Sequence, residues 1–269
     1  MNSFTANGAT LRYDDLGPAD GLPVLLVHGH PFNRSLWAPQ AAALTAAGHR
    51  VILPDLRGYG ESEVVPGKTL LAEFAADLAA LLDHLGVPRA VVGGVSMGGQ
   101  IAMEFHLAHP ERVLALVLSD TSPVAETSEG KAFRAALAER LLAEGMDGYA
   151  DEVIGKMIAP YHVTGQPEVA AHVLGMMKST APEGAAAALR GRAERPDYRA
   201  SLALLKAPAL IVVGADDAYT PVTEARALHE LVPQAALVVI EEAGHLPGAE
   251  QPARFNEALL AFLETVPAG

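Results

Sequence analysis

The chain has 269 residues, of which 50% are hydrophobic, and it carries a formal net charge of −13 at pH 7. This length and apolar content predict one large core that folds without covalent staples. The absence of cysteine excludes disulfides, thiolate metal sites and cysteine nucleophiles. The acidic balance, with no basic stripe, argues against a nucleic-acid partner and against binding to anionic membranes.

The N-terminal residues 1–5 contain neither the charged leader nor the apolar segment that is typical of a signal peptide. No stretch of the chain approaches the roughly 18 consecutive apolar residues of a membrane span. We therefore expect a cytoplasmic protein without membrane contacts. The sequence does not indicate an oligomeric state.

The chain is predicted to open with a hairpin, because Asn7-Gly8 separates two short segments with strand character. From residue 24 onward, apolar runs that are typical of buried strands alternate with helix-like segments. The predicted strands are 24–27, 51–53, 90–92, 113–118, 209–213 and 236–240, and the predicted helices between and after them are 37–47, 70–85, 100–109, 223–231 and 252–263. This alternation predicts an α/β fold with a mostly parallel sheet flanked by helices.

The pattern changes between residues 122 and 200, where segments 126–144 and 166–195 are predicted to be helical and no strand is indicated. We predict that this helical insertion is a cap, and that residues 1–121 and 201–269 together form the core domain. The insertion carries flexible methionines at helical spacings, which is typical of core packing first and of pocket lining second.

A serine between two glycines follows the 90–92 strand, in the sequence Gly94-Val95-Ser96-Met97-Gly98. A serine that turns sharply out of a strand needs neighbours without side chains, so that the strand and the next helix can approach closely. This spacing is that of a nucleophile elbow, and it predicts Ser96 as the nucleophile. A phosphate-binding loop is excluded, because Gly99 and Gln100 stand where lysine and serine or threonine would be required.

A serine hydroxyl needs a base to become a nucleophile, and that base needs an acid that holds its tautomer. His245 follows Gly244 directly beyond the last predicted strand, which places it at the carboxyl edge of the sheet where Ser96 emerges. Asp216 and Asp217 follow the preceding strand at the same edge. The chain order is therefore serine, aspartate, histidine.

With these motifs the chain resembles the α/β-hydrolase superfamily over essentially its whole length. The segments that carry the resemblance are the elbow, His28-Gly29-His30-Pro31, residues 55–62, residues 214–221, Ala243-Gly244-His245 and Glu250-Gln251-Pro252. They are most similar to the branch of small serine esterases, enol-lactonases and cofactor-free perhydrolases.

The resemblance implies roles for individual residues. The family's acid lies three residues after the loop glycine, which selects Asp217, with Asp216 as the alternative in register and Asp120 as an acid displaced to the preceding strand. The resemblance also implies an oxyanion hole formed by the backbone amides of His30 and Met97. The His30 side chain either lines the acyl pocket or packs elsewhere.

The candidates for contact with substrate are aromatic residues near strand ends and methionines of the helical insertion. Aromatic residues near strand edges usually belong to the core, so they have a structural interpretation as well. The residues concerned are Phe32, Tyr219, Met146, Met157 and Met176.

Together these features predict a serine hydrolase that cleaves a small carboxylic ester or lactone through a covalent acyl-enzyme, with no cofactor and no metal. Two alternatives stay open. One is a cofactor-free perhydrolase or haloperoxidase-like enzyme with the same triad, which Pro31 beside the oxyanion residue also fits; the other is a non-catalytic ligand-binding protein. Epoxide hydrolase and dehalogenase chemistry is excluded, because those relatives attack with aspartate where this chain has Ser96.

Overall fold

A computed structural model describes residues 2–267 of the chain. Its eight strands form one sheet in the order β1-β2-β4-β3-β5-β6-β7-β8. Strands β3 to β8 are parallel, whereas β2 pairs antiparallel with both β1 and β4. The strands are β1 (Asn2–Ala6), β2 (Ala9–Leu16), β3 (Pro23–Val27), β4 (Arg50–Pro54), β5 (Ala90–Val95), β6 (Val113–Ser119), β7 (Ala209–Gly214) and β8 (Ala236–Ile240).

The hairpin predicted at Asn7-Gly8 joins β1 to β2. Both turn residues adopt left-handed backbone angles, with φ of 49° at Asn7 and 76° at Gly8. These angles match the right-handed twist of the flanking strands, which explains the preference for asparagine and glycine. The hairpin extends the parallel sheet by an antiparallel edge.

Helices cover both faces of the sheet, as the alternating pattern predicts. The core helices are α1 (Ala38–Ala46), α2 (Leu71–His84), α3 (Met97–Ala108), α10 (Val222–Leu231), the short α11 (Pro247–Glu250) and α12 (Pro252–Leu263). Successive side chains of a strand point to opposite faces, so in β3 Val24 and Leu26 pack on the α1 and α12 side, and Leu25 and Val27 pack on the α2 and α3 side. The α/β prediction is confirmed.

Six helices and no strand lie between β6 and β7, a part of the chain that the structure describes completely. They are α4 (Ser128–Glu144), α5 (Asp147–Met157), α6 (His162–Gly165), α7 (Pro167–Ser179), α8 (Pro182–Arg192) and α9 (Arg199–Leu202). Helix α4 packs against α8, and α5 packs against α7. The division of the chain into a core domain and a cap stays a prediction.

The segment 166–195, predicted to be helical, contains two helices instead of one. Thr180 and Ala181 have extended ψ angles of 132° and 126°. Pro182 is the reason at the sequence level, because a proline restricts the preceding residue to extended angles and favours the first position of a new helix. Helices α5 and α6 were not among the predicted elements.

Within residues 2–267, no helix combines the length and the apolar character that crossing a bilayer requires.

Candidate active site

Ser96 occupies the sharp turn between β5 and α3, with φ of 57° and ψ of −118°. Such angles cost a non-glycine residue on the order of 1–3 kcal/mol, so the surroundings must hold them in place. The Ser96 amide donates to the Ser119 carbonyl at 3.0 Å, and the Ser96 carbonyl accepts from the Gln100 amide at 3.2 Å and from Thr121 Oγ1 at 2.7 Å. These bonds fix the serine at the carboxyl end of β5.

Glycines permit the close backbone contacts that this turn requires. A Cβ at Gly98 would lie 2.2 Å from the Val27 carbonyl oxygen, and a Cβ at Gly94 would lie 2.2 Å from the backbone carbonyl carbon of Gly98. A Cβ at Gly29 would lie 3.2 Å from the Cβ of Ser96. Helix α3, the elbow and the loop after β3 therefore meet backbone to backbone.

The loops after β7 and β8 bring Asp217 and His245 together. Nδ1 of His245 donates to Oδ2 of Asp217 at 2.8 Å, and both side chains are buried. Oδ1 of Asp217 accepts from the Tyr219 amide at 2.8 Å, and the Thr220 hydroxyl donates to Oδ2. Burial alone raises the pKa of Asp217, but the His245 ring and these hydrogen bonds outweigh it and lower the pKa below its ordinary value.

His245 and Ser96 line one cavity. The Ser96 hydroxyl makes no hydrogen bond with any other group in residues 2–267. With Nδ1–H of the neutral imidazole bonded to Asp217, Nε2 is the nitrogen that can accept a proton. The three residues that the motifs predicted as a triad thus come from the ends of three different strands, β5, β7 and β8.

The two alternative acids differ from Asp217 in their surroundings. Asp216 is exposed, and its Oδ2 accepts a hydrogen bond from the Tyr161 hydroxyl at 2.6 Å. Asp120 is buried at the end of β6 and lies near the pair, since oxygen or nitrogen atoms of Asp120, Asp217 and His245 lie within 4.8 Å of one another. The geometry therefore separates the acid bonded to His245 from a second acid beside it.

Hydrogen bonds engage both oxygens of Asp120. Oδ1 accepts from the Gly214 amide at 2.9 Å, and Oδ2 accepts from Ser119 Oγ at 2.5 Å. Burial and the negative charge of Asp217 raise the pKa of Asp120 well above its ordinary value. The pKa values of Asp217 and Asp120 are therefore displaced in opposite directions. Carboxylate and imidazole groups can bind a metal cation, but the carboxylate oxygens of Asp120 and Asp217 already accept hydrogen bonds from protein groups.

The predicted oxyanion donors flank Ser96 on both sides. Met97 is the first residue of α3, where amides have no partner within the helix. His30 follows Gly29, which packs against the elbow. Neither the Met97 amide nor the His30 amide donates to another group within residues 2–267.

The His30 ring lines the cavity, which is one of the two positions that the sequence left open for it. Its Nδ1 shares a hydrogen bond of 2.8 Å with the Tyr59 hydroxyl, and its Nε2 is buried without a partner. Burial, reinforced by the nearby cations Arg192 and Arg134, lowers the pKa of His30 well below its ordinary value. The His30 ring is therefore neutral and forms part of the cavity wall.

Glu250 supports the loop that carries His245, a function that its motif did not reveal. Oε1 accepts from the Gly244 amide at 2.8 Å and from the Leu246 amide at 3.3 Å. Oε2 accepts from the Ala159 amide and from Nδ1 of His162, both at 2.8 Å. This buried carboxylate therefore joins the histidine loop to the end of α5 and the start of α6 in the helical insertion.

The cavity has a volume of about 450 Å³ and is also lined by Met157 and Tyr219, two of the five predicted pocket residues. Phe32, Met146 and Met176 do not line this cavity; each is at most 4% exposed and belongs to a hydrophobic cluster that also contains Met157. Helical spacing directs a side chain to a packed face without saying whether a cavity lies there. For these three residues the structure supports core packing, and contact of Met157 and Tyr219 with substrate stays a prediction.

Four arginines that the sequence motifs do not identify also line the cavity: Arg134, Arg140, Arg192 and Arg195. The basic cluster at the end of α8 was visible in an otherwise acidic chain. Spacing alone does not separate its members, since Arg190 in the same cluster points elsewhere and pairs with Glu139.

Residues 23–252 match the α/β-hydrolase fold family. The chain belongs to this family. This α/β-hydrolase superposes with a TM-score of 0.94 on a thermophilic esterase from Thermogutta terrifontis, solved with malate bound, at 41% identity over 99% of this chain and 97% of that one. Both the fold and the resemblance to the esterase and enol-lactonase branch are thereby confirmed.

Two enol-lactonases are also similar to this α/β-hydrolase. The enol-lactonase from Burkholderia xenovorans has a TM-score of 0.90 and 28% identity, covering 98% of this chain and 100% of its own. The 3-oxoadipate enol-lactonase 2 of Acinetobacter baylyi is 29% identical over 98% of this chain and 96% of its own length.

Proposed function

We propose that this protein hydrolyses small carboxylic esters or lactones through a covalent acyl-enzyme on Ser96. The observation that carries the proposal is the 2.8 Å hydrogen bond from Nδ1 of His245 to Asp217, in a cavity that His245 shares with Ser96. The relatives named as esterase and enol-lactonase support the same class of reaction.

In the first half of the reaction, the Ser96 hydroxyl attacks the substrate carbonyl while Nε2 of His245 takes its proton. Asp217 holds the imidazole in the required tautomer and stabilises the imidazolium. Negative charge then develops on the carbonyl oxygen, and the free amides of Met97 and His30 are the donors that would stabilise it. The position of Met97 at a helix N-terminus adds the favourable dipole.

In the second half, His245 returns the proton to the leaving alcohol, and the acyl group stays on Ser96. A water molecule, deprotonated by His245, attacks the acyl carbon. The bond between this carbon and Oγ of Ser96 then breaks, His245 returns the proton to Oγ, and the carboxylic acid is released. In a lactone the leaving alcohol is part of the same molecule, so one hydroxy acid is released. His245 is the group that accepts and returns the proton in both halves of the reaction.

The proposal is tested with Ser96→Ala and His245→Ala on a short-chain 4-nitrophenyl ester. Each change should lower kcat by on the order of 10⁴ or more, because removing one triad member disables the triad as a unit. The matched control is Ser122→Ala, which removes a second serine hydroxyl from the same cavity wall and should change kcat by less than about tenfold. Mass spectrometry of the wild type with a slow ester should show one acyl group on Ser96. Near-normal turnover by a folded Ser96→Ala protein would refute the proposal.

A further inference from the structure

Positive charge is concentrated on one wall of the catalytic cavity, although the whole chain has a net charge of −13. The cavity is lined by four arginines and by the exposed Lys156. Arg140 pairs with Glu144 and Glu152, whereas the charges of Arg134, Arg192 and Arg195 lie close to one another on this wall. Glu126 is shared by two of them: Arg134 Nε and Arg195 Nη1 both bond to its Oε2, the second at 2.7 Å. Together these two arginines lower the pKa of Glu126 to about 2 despite its partial burial. Glu126 is therefore ionised at neutral pH, and its charge is paired with Arg134 and Arg195.

Arg192 is left without a carboxylate partner. Within residues 2–267 no acidic oxygen lies in ion-pair distance of its guanidinium, and its one side-chain hydrogen bond runs from Nε to the neutral amide oxygen of Gln100 at 2.7 Å. Burial, together with the charges of Arg134 and Arg195, lowers the pKa of Arg192 well below its ordinary value. A guanidinium stays protonated in proteins, so this shift means that burying the positive charge of Arg192 costs free energy. A bound anion would offset that cost.

Arg192 is connected to the Ser96 backbone through Gln100. Its bonded partner Gln100 lies on the first turn of α3, and the Gln100 amide donates to the Ser96 carbonyl at 3.2 Å. Gln100 thus contacts both Arg192 and the Ser96 backbone, and all three residues line the same cavity. Its charge also reaches His30 on the oxyanion side of the cavity.

We propose that the substrate carries a carboxylate a few bonds from its ester or lactone carbonyl, and that Arg192 binds this carboxylate. The proposal rests on the hydrolase function proposed above and names its substrate class. The planar guanidinium donates from Nη1 and Nη2 to the two carboxylate oxygens, a geometry that lysine does not reproduce. The Nε bond to Gln100 fixes the orientation of the group, so little side-chain entropy is lost when the anion binds.

The test compares pairs of esters in which a methyl group replaces the carboxylate. Ethyl hydrogen glutarate and ethyl valerate form one pair, with the charge on the acyl side; acetoxyacetate and ethyl acetate form the other, with the charge on the alcohol side. Arg192→Gln should lower kcat/KM at least tenfold for the charged member of one pair, about 1.4 kcal/mol, and change the neutral member by less than about threefold. Arg192→Lys should keep part of the charge preference.

The matched control is Arg190→Gln, two residues along the same helix. Arg190 bonds to the Gly67 carbonyl and to Glu139 outside the cavity, so both kcat/KM values should stay at the wild-type level. Free glutarate should inhibit hydrolysis of ethyl valerate competitively in the wild type and in Arg190→Gln, and at least tenfold more weakly in Arg192→Gln.

The outcomes separate the two proposals. An equal loss on charged and neutral esters, in an Arg192→Gln protein that remains folded, would overturn the carboxylate role and make Arg192 a support for Gln100 and α3. If the wild type hydrolysed none of the four esters, the proposed function would fail, and thermal stabilisation by glutarate would still decide the binding site. Stabilisation of the wild type that is lost in Arg192→Gln supports the site, and equal or absent stabilisation overturns it.

Discussion

Two buried carboxyl groups lie beside His245, and their environments displace their pKa values in opposite directions. Asp217 accepts three hydrogen bonds and has a lowered pKa, whereas Asp120 has a raised one because burial and the charge of Asp217 both oppose its ionisation. Two nearby carboxylates seldom ionise together. The acid with the lowered pKa is the one that bonds the imidazole.

We expect Asp217→Asn to lower kcat by on the order of 10⁴, because an amide at this position favours the wrong imidazole tautomer. Asp120→Asn should cost less than about tenfold, since asparagine resembles the neutral acid and still accepts from the Gly214 amide. Steady-state kinetics on one short ester compare the two variants, and circular dichroism checks their fold. A larger loss in Asp120→Asn would mean that Asp120 is the acid that orients His245.

The raised pKa of Asp120 also predicts how stability depends on pH. Above the pKa of an unfolded aspartate, about 3.9, the folded chain retains a proton at Asp120 that the unfolded chain has lost, so this residue lowers stability progressively as pH rises. Asparagine does not titrate. The unfolding free energy of Asp120→Asn minus that of the wild type, from urea titrations, should therefore increase as pH rises above about 4, over the range in which the folded carboxyl group still retains its proton. A difference that is constant or falls over this range would contradict the assignment.

At the level of elements, the helices between β6 and β7 contribute both to the core and to the cavity wall. Met157 at the end of α5 lines the cavity, whereas Met176 in α7 does not, although both belong to the same hydrophobic cluster. Both side chains are at most 4% exposed, so burial alone does not distinguish them. The two methionines differ in whether the side chain lines the cavity.

Met157→Ala should therefore shift the preferred acyl chain toward longer esters, because it enlarges the cavity. Met176→Ala should leave that preference unchanged and lower the unfolding free energy by about 2–5 kcal/mol, the usual cost of a buried methionine truncation. Profiles of kcat/KM against acyl length and urea titrations measure the two effects. An identical shift in both profiles would show that packing of the whole insertion, and not the cavity wall, sets the preference.

At the level of the whole molecule, Glu250 links the histidine loop to the helical insertion through four hydrogen bonds. All four use carboxylate oxygens as acceptors. Glutamine offers one such oxygen, so in Glu250→Gln an NH₂ group faces buried donors that then lack a partner. Each unsatisfied buried group costs about 1–3 kcal/mol.

We expect Glu250→Gln to lower both the unfolding free energy and kcat. Hydrogen exchange should become faster in residues 159–165 and in residues 244–246 together, because one side chain holds both segments. Glu257→Gln on the exposed face of α12 is the matched control and should behave like the wild type. Faster exchange in only one of the two segments would show that Glu250 does not couple the loop to the insertion.

The sequence by itself determined the α/β fold, the antiparallel hairpin and the elbow, because each depends on local periodicity or on glycine spacing along a few residues. It also determined the chain order of Ser96, Asp217 and His245, since parallel strands bring their carboxyl ends to one edge. Their catalytic roles stay predictions until the variants are measured.

Only the tertiary structure decided which distant side chains meet. Gln100 and Arg192 are 92 residues apart, and Asp120 comes near Asp217 only because β6 and β7 are neighbours in the sheet. Helical periodicity predicts that a residue faces inward, but whether it meets a packed neighbour, as Met176 does, or a cavity, as Met157 does, depends on how the helices dock. Charge pairing, burial and cavity shape are relations between elements, so they become defined only when the elements pack.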